Sequence, residues 1–211
     1  MAKDKSKHIE LLKNTRKFVV FDLETTGFSP EKGDKIIEIG AVKIYDDEII
    51  GEFSVLINPE INIPKHITAI TGINTGMIKN KQSYTEVLPD FCDFIEDIPL
   101  AAHNASFDMK FLNFYLSNID MPIKTRYLDT IAITKHFYPN LKNYQLKTVH
   151  EYFGLTDFNH HRALDDSMVT AKILIKIQEE HGLLGKGNSI LFDNEKIIKL
   201  RNKYLSDFDV W

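Results

Sequence analysis

Three short stretches of this chain combine acids and histidines at spacings that suit chemistry. In the first, DLETTG, Asp22 and Glu24 stand two residues apart at the end of an apolar run. Side chains at positions i and i+2 of a strand project from the same face, so both carboxylates would point the same way. Like charges beside a core repel each other, and a divalent metal bound through oxygen offsets that repulsion. The structural alternative is a strand end that frays into water, where both acids are solvated.

The second stretch, HNASFD, places an acid where a strand gives way to a helix. Asn104 or Ser106 can cap this helix, and Asp108 falls in its first turn. An acid there complements the helix dipole without any further role. Sites in α/β proteins lie at the sheet edge where strands end, so Asp108 also has a functional interpretation. Its neighbour Phe107 suits a core position better than a substrate contact, although a pocket wall could be both.

The third stretch, HHRALDDSM, doubles both residue types. It contains His160, His161, Asp165 and Asp166, just before and within the start of a helix. Successive helical residues are rotated by about 100°, so the two aspartates diverge and both are not expected in one site. Acids in a first helical turn also have a purely structural use. These residues alone leave open which histidine and which aspartate do chemistry.

The hydrophobic pattern predicts strands first and alternating helices and strands later. Three strands are predicted at Phe18 to Glu24, at Lys35 to Tyr45 and in a run that ends before Pro59, and their short connections favour antiparallel pairing. The later elements are a helix opened by a Ser83–Glu86 capping box, a strand to His103, a helix over 106–119, a strand and short helix stopped by Pro139, a helix ended by Gly154 and a long helix ended by Gly182. This order is typical of an α/β fold with a mixed central sheet flanked by helices.

Composition restricts the classes of function. A net charge of −4 and a pI of about 6.1 argue against a protein that coats nucleic acid by charge alone. The single cysteine, Cys92, excludes an internal disulfide and fits a reducing compartment, so we expect a cytoplasmic protein. Neither a signal peptide nor a membrane span is expected, because no sufficiently long apolar run occurs. We divide the chain into a basic arm (1–16), one domain (17–182) and a tail (183–211). The arm is interpreted as a solvated segment or short helix, or as a contact for phosphates.

In this order, the three stretches resemble the motifs of the DnaQ-like, or DEDDh, 3′–5′ exonucleases: Asp-x-Glu, His-Asn-Ala-x-Phe-Asp and His-x-Ala-x-x-Asp. HITAITGI (66–73) also resembles a loop of that family. The similarity covers residues 17–180 and is greatest to the proofreading epsilon subunit and the PolC-type exonuclease domain of bacterial replicative polymerases. One departure is Ser167, where the family often has Ala. The resemblance implies a ribonuclease H-like fold, with three antiparallel strands followed by parallel strands.

The resemblance also implies a role for each matching residue. Asp22, Glu24, Asp108 and Asp166 would hold two divalent cations, Mg²⁺ or Mn²⁺, since oxygen ligands suit these metals better than zinc. His161 would take the proton of the attacking water, beside Glu24 as the second catalytic residue. The products would be nucleoside 5′-monophosphates from the 3′ end of single-stranded or frayed DNA. Contacts to the terminal nucleotide are expected from Leu23, Thr25, Thr26, Thr71, Gly72, Asn104 and Phe107, with His103 in a supporting role.

Two other functions remain open. One is an RNA-processing 3′–5′ exoribonuclease of the same superfamily, because recognition of the 2′-OH depends on pocket shape. The other is a non-catalytic polymerase-binding module, although such a module needs neither the acids nor the histidine. GNSILFDNE (187–195) faintly resembles a sliding-clamp-binding peptide without its usual leading Gln, and packing on the domain is the alternative. A DNA polymerase or a sliding clamp is therefore an expected partner, and a membrane is not.

Overall fold

Five strands form one mixed sheet in the computed structural model, which describes residues 2–155 and 162–183. The strands are β1 (Lys17–Thr25), β2 (Ile36–Tyr45), β3 (Glu48–Leu56), β4 (Leu100–Ala102) and β5 (Tyr127–Asp129). Their order in the sheet is β3-β2-β1-β4-β5. The pairs β1–β2 and β2–β3 are antiparallel, and β1–β4 and β4–β5 are parallel. The expected mixed sheet, with antiparallel strands followed by parallel ones, is confirmed.

Helices cover both faces of the sheet. They are α1 (Ala2–Asn14), α2 (Lys65–Thr71), α3 (Thr75–Ile78), α4 (Tyr84–Ile95), α5 (Ala105–Ser117), α6 (Thr130–Phe137), α7 (Leu146–Tyr152) and α8 (Ala163–Glu180). The predicted capping box opens α4, where the backbone N–H of Ser83 donates to the Glu86 carboxylate at 2.8 Å. Among these described helices, none combines the length and the apolarity that crossing a bilayer requires.

The segment that was expected to be a loop, 66–73, is mostly helical. The backbone N–H of Thr68 donates to the carbonyl of Pro64 at 3.1 Å, which starts α2 directly after the proline. Gly72 ends the helix with φ of +73°, a left-handed conformation that glycine adopts without a steric penalty. The expectation of a loop was therefore wrong, because a helix of 7 residues, about two turns, between a proline and a glycine is too short to show periodicity.

The sheet separates two apolar cores because the side chains of β1 alternate between its faces. Val19, Phe21 and Leu23 belong to the core that includes α4 and α5. Phe18 and Val20 belong to the core that includes α1, α6, α7 and α8. The β1 side chains that face α8 are therefore those in the same row as Phe18 and Val20.

Helix α1 packs against the domain. Leu12 is fully buried and Leu11 nearly so, and both join the core on the α8 side of the sheet. Arg16, which follows α1, pairs with Asp46 beyond β2 and lies over the ring of Tyr45. Residues 2–14 are thus a short helix, as one of the two structural interpretations had it, and not a freely solvated arm. Most of the tail, 184–211, lies outside the described residues.

Candidate active site

Asp22 and Glu24 extend the row of β1 side chains that faces α8. Both are partly buried, where the apolar core gives way to the first turn of that helix. One carboxylate oxygen each from Asp22, Glu24 and Asp166 lie within 4.8 Å of one another. That group does not include Asp165, as the rotation of about 100° per helical residue requires. The structure thus brings the first and third sequence motifs together in one cluster.

Close contact between α8 and β2 sets the position of Asp166. Gly40 is the β2 partner of Asp22, and a Cβ on Gly40 would lie 2.1 Å from the carbonyl carbon of Ala163. Only a residue without a side chain lets the helix approach this closely. The hydroxyl of Ser167 lies 2.8 Å from the Gly40 carbonyl and 2.7 Å from the Ala163 carbonyl, and it donates to these acceptors. The serine that departs from the family pattern therefore helps to hold the helix on the strand.

A buried ion pair that the sequence reasoning missed fixes the start of α8. The Nη2 and Nε atoms of Arg162 donate to the Glu38 carboxylate at 2.8 and 3.1 Å, and the N–H of Ala163 donates to it at 3.0 Å. Glu38 is 1% exposed. A signal was available, since this acid interrupts the apolar run KIIEIGAV, and a buried carboxylate needs a partner.

Asp108 closes the cluster from the side of β4. Its Oδ1 accepts a hydrogen bond from the backbone N–H of Leu23 at 3.1 Å, and its side chain is buried. Earlier in β1, the N–H of Val19 donates in the same direction to Pro99. Because β4 ends at Ala102, none of the described strands pairs with the N–H of Leu23 on the β4 side, and the carboxylate takes the place of a carbonyl. This contact puts the second motif beside the first.

Burial and mutual repulsion make these carboxyls hard to ionise. Burial is the main cause that raises the pKa of Asp22 well above its ordinary value, and the charges of Asp108, Asp166 and Glu24 add to the effect. The pKa of Glu24 rises to about 8 through burial and then through Glu38 and Asp166. Burial also raises the pKa of Asp108 to about 8, against the hydrogen bond from Leu23. Such a cluster is stabilised by cations, which oppose both causes.

Residues 19–174 match the Exonuclease (RNase_T) family. The chain belongs to this family. The DNA polymerase III subunit epsilon of Aquifex aeolicus is 38% identical over 164 residues, which are 77% of this chain and 81% of that protein. The PolC-type DNA polymerase III of Clostridium perfringens is 42% identical over 197 residues, which are 92% of this chain. The chain spans only 13% of that polymerase's length.

Solved exonuclease structures share the fold. Exonuclease X in complex with 5′ overhanging duplex DNA has a TM-score of 0.65 and 25% identity, over 87% of this chain and 98% of that one. The nuclease domain of 3′hExo, a DEDDh family member bound to rAMP, has a TM-score of 0.71 and 21% identity, over 84% of this chain and 98% of that one. The expected ribonuclease H-like exonuclease fold is therefore confirmed.

The two threonines of DLETTG make hydrogen bonds within the loop that follows β1. The hydroxyl of Thr25 donates to the carbonyl of Gly27 at 2.6 Å, and that of Thr26 accepts from the N–H of Lys35 at 2.8 Å. The side chain of Leu23 lies in the apolar core. Leu23 can therefore contact a substrate through its main chain alone, and the two threonines shape the loop. Their contacts to a nucleotide stay predictions.

Thr71 and Gly72 end α2. The Thr71 hydroxyl donates to the carbonyl of Ile67 at 3.0 Å and accepts from the N–H of Ile73 at 3.1 Å, and the side chain is buried. Gly72 is exposed. This pattern gives the Thr71 side chain a structural role in ending the helix, and the predicted nucleotide contact of Gly72 stays a prediction.

The second motif carries an aromatic pair at the surface. The ring of Phe107 packs on that of Phe111, with centroids 5.1 Å apart, and meets the ring of Phe28 edge-on at 6.4 Å. Phe28 is 80% exposed. The sequence reasoning missed Phe28, although an aromatic residue directly after a Thr-Thr-Gly turn is a usable signal. The rings of Phe28 and Phe107 form an apolar surface beside the first two motifs.

Two polar residues of HNASFD hold the end of β4. Asn104 has φ of +72° at the start of α5, and its backbone N–H donates to Asp129 at 3.2 Å. The Nε2–H of His103 donates to the carbonyl of Tyr144 at 2.8 Å, and its Nδ1 accepts from the hydroxyl of Thr130 at 2.9 Å. Burial lowers the pKa of His103, which favours this neutral form. Both ring nitrogens are thus engaged in structural contacts.

The predicted general base lies outside the described residues. His160 and His161 both fall in the segment 156–161. Arg162, which follows directly, is held by Glu38, so the chain leaves that segment at a fixed point beside Glu24. The roles of both histidines stay predictions.

Proposed function

We propose that this chain is a metal-dependent 3′–5′ exonuclease that hydrolyses the terminal phosphodiester of single-stranded or frayed DNA. The observation that carries the proposal is the cluster of Asp22, Glu24 and Asp166, with ligand oxygens within 4.8 Å of one another and Asp108 beside them. Membership of the exonuclease family supports it. The buried, mutually repelling carboxyls cost folding free energy, so a role in binding is the best reason for their presence.

The donor set fits two divalent cations, Mg²⁺ or Mn²⁺. The ligand atoms of these described residues are carboxylate oxygens, which these metals prefer, and their ionisation is suppressed by burial and by neighbouring acids. When bound, such ions stabilise the attacking and leaving oxygens of an in-line displacement. Asp22, Glu24 and Asp166 would hold them, and Asp108 would join from the side of β4.

The chain's other residues would orient the substrate. The exposed face of Phe28, backed by Phe107, offers a surface against which a frayed terminal base can stack. The Glu38–Arg162 pair would keep Asp166 in register with Asp22 during turnover, because it anchors the residue that precedes α8. Removing one partner of a fully buried pair costs about 3–5 kcal/mol. The cost here is smaller, since the Arg162 side chain is 27% exposed.

The function is tested with a single-stranded DNA oligonucleotide that is labelled at its 5′ end. With Mg²⁺ or Mn²⁺, we expect a ladder of products shortened from the 3′ end and release of nucleoside 5′-monophosphates. A matched RNA oligonucleotide is expected to react at least about tenfold more slowly in kcat/KM, as a lost or clashing polar contact gives. Faster turnover of RNA would favour the exoribonuclease, and no turnover of either would favour a non-catalytic module.

The two adjacent histidines give a further test. We propose that His161 accepts the proton of the attacking water, so that His161→Ala lowers kcat by about 10²–10⁴-fold, the usual contribution of a general base. Metal binding, which is measured as thermal stabilisation by Mn²⁺, is expected to change little. His160→Ala is the matched control and is expected to keep nearly normal turnover. Equal losses from the two variants would contradict this register.

We also propose that the chain works in DNA replication or proofreading, together with a DNA polymerase or a sliding clamp. Support comes from the polymerase III relatives, which include an epsilon subunit matched over most of its length. The clamp-like peptide at 187–195 lies outside the described residues, so that contact remains a prediction from sequence.

A further inference from the structure

A cavity of about 530 Å³ lies between α1 and the edge strand β5, away from the acid cluster. It is lined by Lys7, His8, Glu10, Leu11, Asn14, Thr125, Arg126 and Tyr127. Neither the exonuclease motifs nor the proposed chemistry uses any of these residues. Its volume is within the range that small ligands fill, roughly 300–1,000 Å³.

The lining combines an exposed aromatic ring with cations. Tyr127 is 40% exposed, and its ring centroid is 6.3 Å from that of His8. Lys7 and Arg126 are both exposed, and Glu10 is the acid among the lining residues. The cavity is therefore locally basic on a chain whose net charge is −4. A stacking surface flanked by cations is the combination that binds single-stranded nucleic acid.

The cavity is connected to the rim of the acid cluster through Asp129. Nδ1 of His8 accepts a hydrogen bond from the N–H of Asp129 at 3.3 Å. The Asp129 carboxylate accepts one from the N–H of Asn104, where α5 and the second motif begin, at 3.2 Å. Tyr127 and Asp129 are the two ends of β5, so they are separated by about 7 Å at the usual rise of a strand. A strand that entered at the acids and continued along β5 would pass Asp129 before it met the cavity.

Charge and hydrogen bonding favour a nucleic acid over a peptide as the occupant. A peptide that added to the edge of β5 would need its outward N–H groups, yet the N–H of Asp129 is already bound by His8. In addition, β5 has only three residues, which is too little for a stable added strand. The exposed Lys7 and Arg126 instead suit phosphates.

We propose that the α1–β5 cavity binds the substrate strand upstream of its 3′ end, with a base on Tyr127 and phosphates at Lys7 and Arg126. The proposal rests on the proposed function, since it extends the same substrate away from the acids. It makes α1 a substrate-binding element, in line with the interpretation of the basic N-terminus as a contact for phosphates.

The test compares single-stranded DNA from the dinucleotide to a 12-mer. Tyr127→Leu is expected to raise KM roughly tenfold for long oligonucleotides, as the loss of one stacked base does, and Tyr127→Phe to restore it. The dinucleotide is too short to reach the cavity, so its KM is expected to be the same for wild type and for these variants. Arg126→Ala and Lys7→Ala are each expected to reduce the slope of log KM against log salt by about 0.7, the value for one phosphate of a single strand.

Two further variants sharpen the result. Glu10→Gln removes a negative charge from the lining and is expected to lower KM for long oligonucleotides. Lys13→Ala, on the same helix but not among the lining residues, is the matched control and is expected to leave the salt slope unchanged. Unchanged KM and salt slope in the Tyr127, Lys7 and Arg126 variants would overturn the proposal. So would a slope that falls equally in Lys13→Ala, which would mean diffuse attraction.

Failure of the proposed function is recognised separately. Binding of a fluorescent 12-mer is measured by anisotropy in EDTA, where no turnover occurs. If wild type binds the 12-mer and Tyr127→Leu weakens that binding roughly tenfold, the cavity is supported even without activity. If wild type degrades DNA but all variants bind it equally, the exonuclease assignment stands and the cavity proposal falls.

Discussion

Asp166→Asn is expected to lower kcat on single-stranded DNA by on the order of 10³-fold, because a lost metal ligand removes several kcal/mol of transition-state stabilisation. Its unfolding free energy in EDTA is expected not to fall. The charge of Asp166 raises the pKa of Asp22 and of Glu24, so its removal relieves repulsion in the folded state. Turnover of a labelled oligonucleotide and urea denaturation on the same preparation check both parts.

Asp165→Asn is the matched control for that experiment. Asp165 is the adjacent acid on the same helical turn, and it is not in the group of close carboxylates. The same loss of one charge is expected to change kcat by less than about twofold, since Asp165 contributes no oxygen to the close group and its charge in the first helical turn is worth at most about 1 kcal/mol. Normal turnover by Asp166→Asn, or an equal loss in both variants, would contradict the assignment of the cluster.

The metal-free protein is expected to lose stability as the pH rises from about 6.5 to 8. Glu24 and Asp108 ordinarily have pKa values of 4.5 and 3.8, and in the folded state both rise to about 8. Between these limits the unfolded chain is ionised while the folded chain keeps the protons. Stability therefore falls with pH, by up to about 1.4 kcal/mol per unit for each carboxyl that stays protonated. Below about pH 6.5, the lowered pKa of His103 makes stability rise with pH. The range from pH 6.5 to 8 is therefore the one that tests the raised carboxyl pKa values.

Mg²⁺ is expected to reverse this trend. The ion binds the ionised carboxylates, and at 100 times its dissociation constant it adds about 2.7 kcal/mol to the unfolding free energy. At a fixed Mg²⁺ concentration, the added unfolding free energy is expected to grow from pH 6.5 to 8, because fewer protons must be displaced. Urea denaturation at four pH values, with EDTA and with Mg²⁺, measures both effects.

A variant of the cluster provides the control for this pH dependence. Asp22→Asn removes one of the carboxyls whose pKa is raised in the folded state, so its metal-free stability is expected to depend less on pH. It is also expected to lose most of the stabilisation by Mg²⁺. A wild-type stability that stays level or rises from pH 6.5 to 8 in EDTA would contradict the raised pKa values.

Local signals were strong enough to predict the main elements. Apolar alternation placed β1 and β2 to within one or two residues, and the Ser83–Glu86 spacing located the start of α4. Short-range patterns failed where an element is a turn or two long, as in α2. They also left the state of the N-terminus open, because burial of Leu12 depends on a surface that α6 and β5 provide.

The sequence also indicated which residue types the site contains but not how they are held. Glu38 and Arg162 are 124 residues apart in the chain, and their pairing follows from the approach of α8 to β2. Phe28 gains an interpretation only through its contact with Phe107, on a different element. Such contacts cannot be obtained from spacing, because spacing reports on neighbours within one strand or one helix.

The sequence by itself determined that Asp22 and Glu24 share a face of β1 and that Asp165 and Asp166 diverge, because strand and helix periods follow from backbone geometry. Which aspartate meets Asp22 was decided by tertiary structure. Gly40 pairs with Asp22, and because it has no side chain, α8 can pack closely on the sheet, with Asp166 next to Asp22 and Glu24.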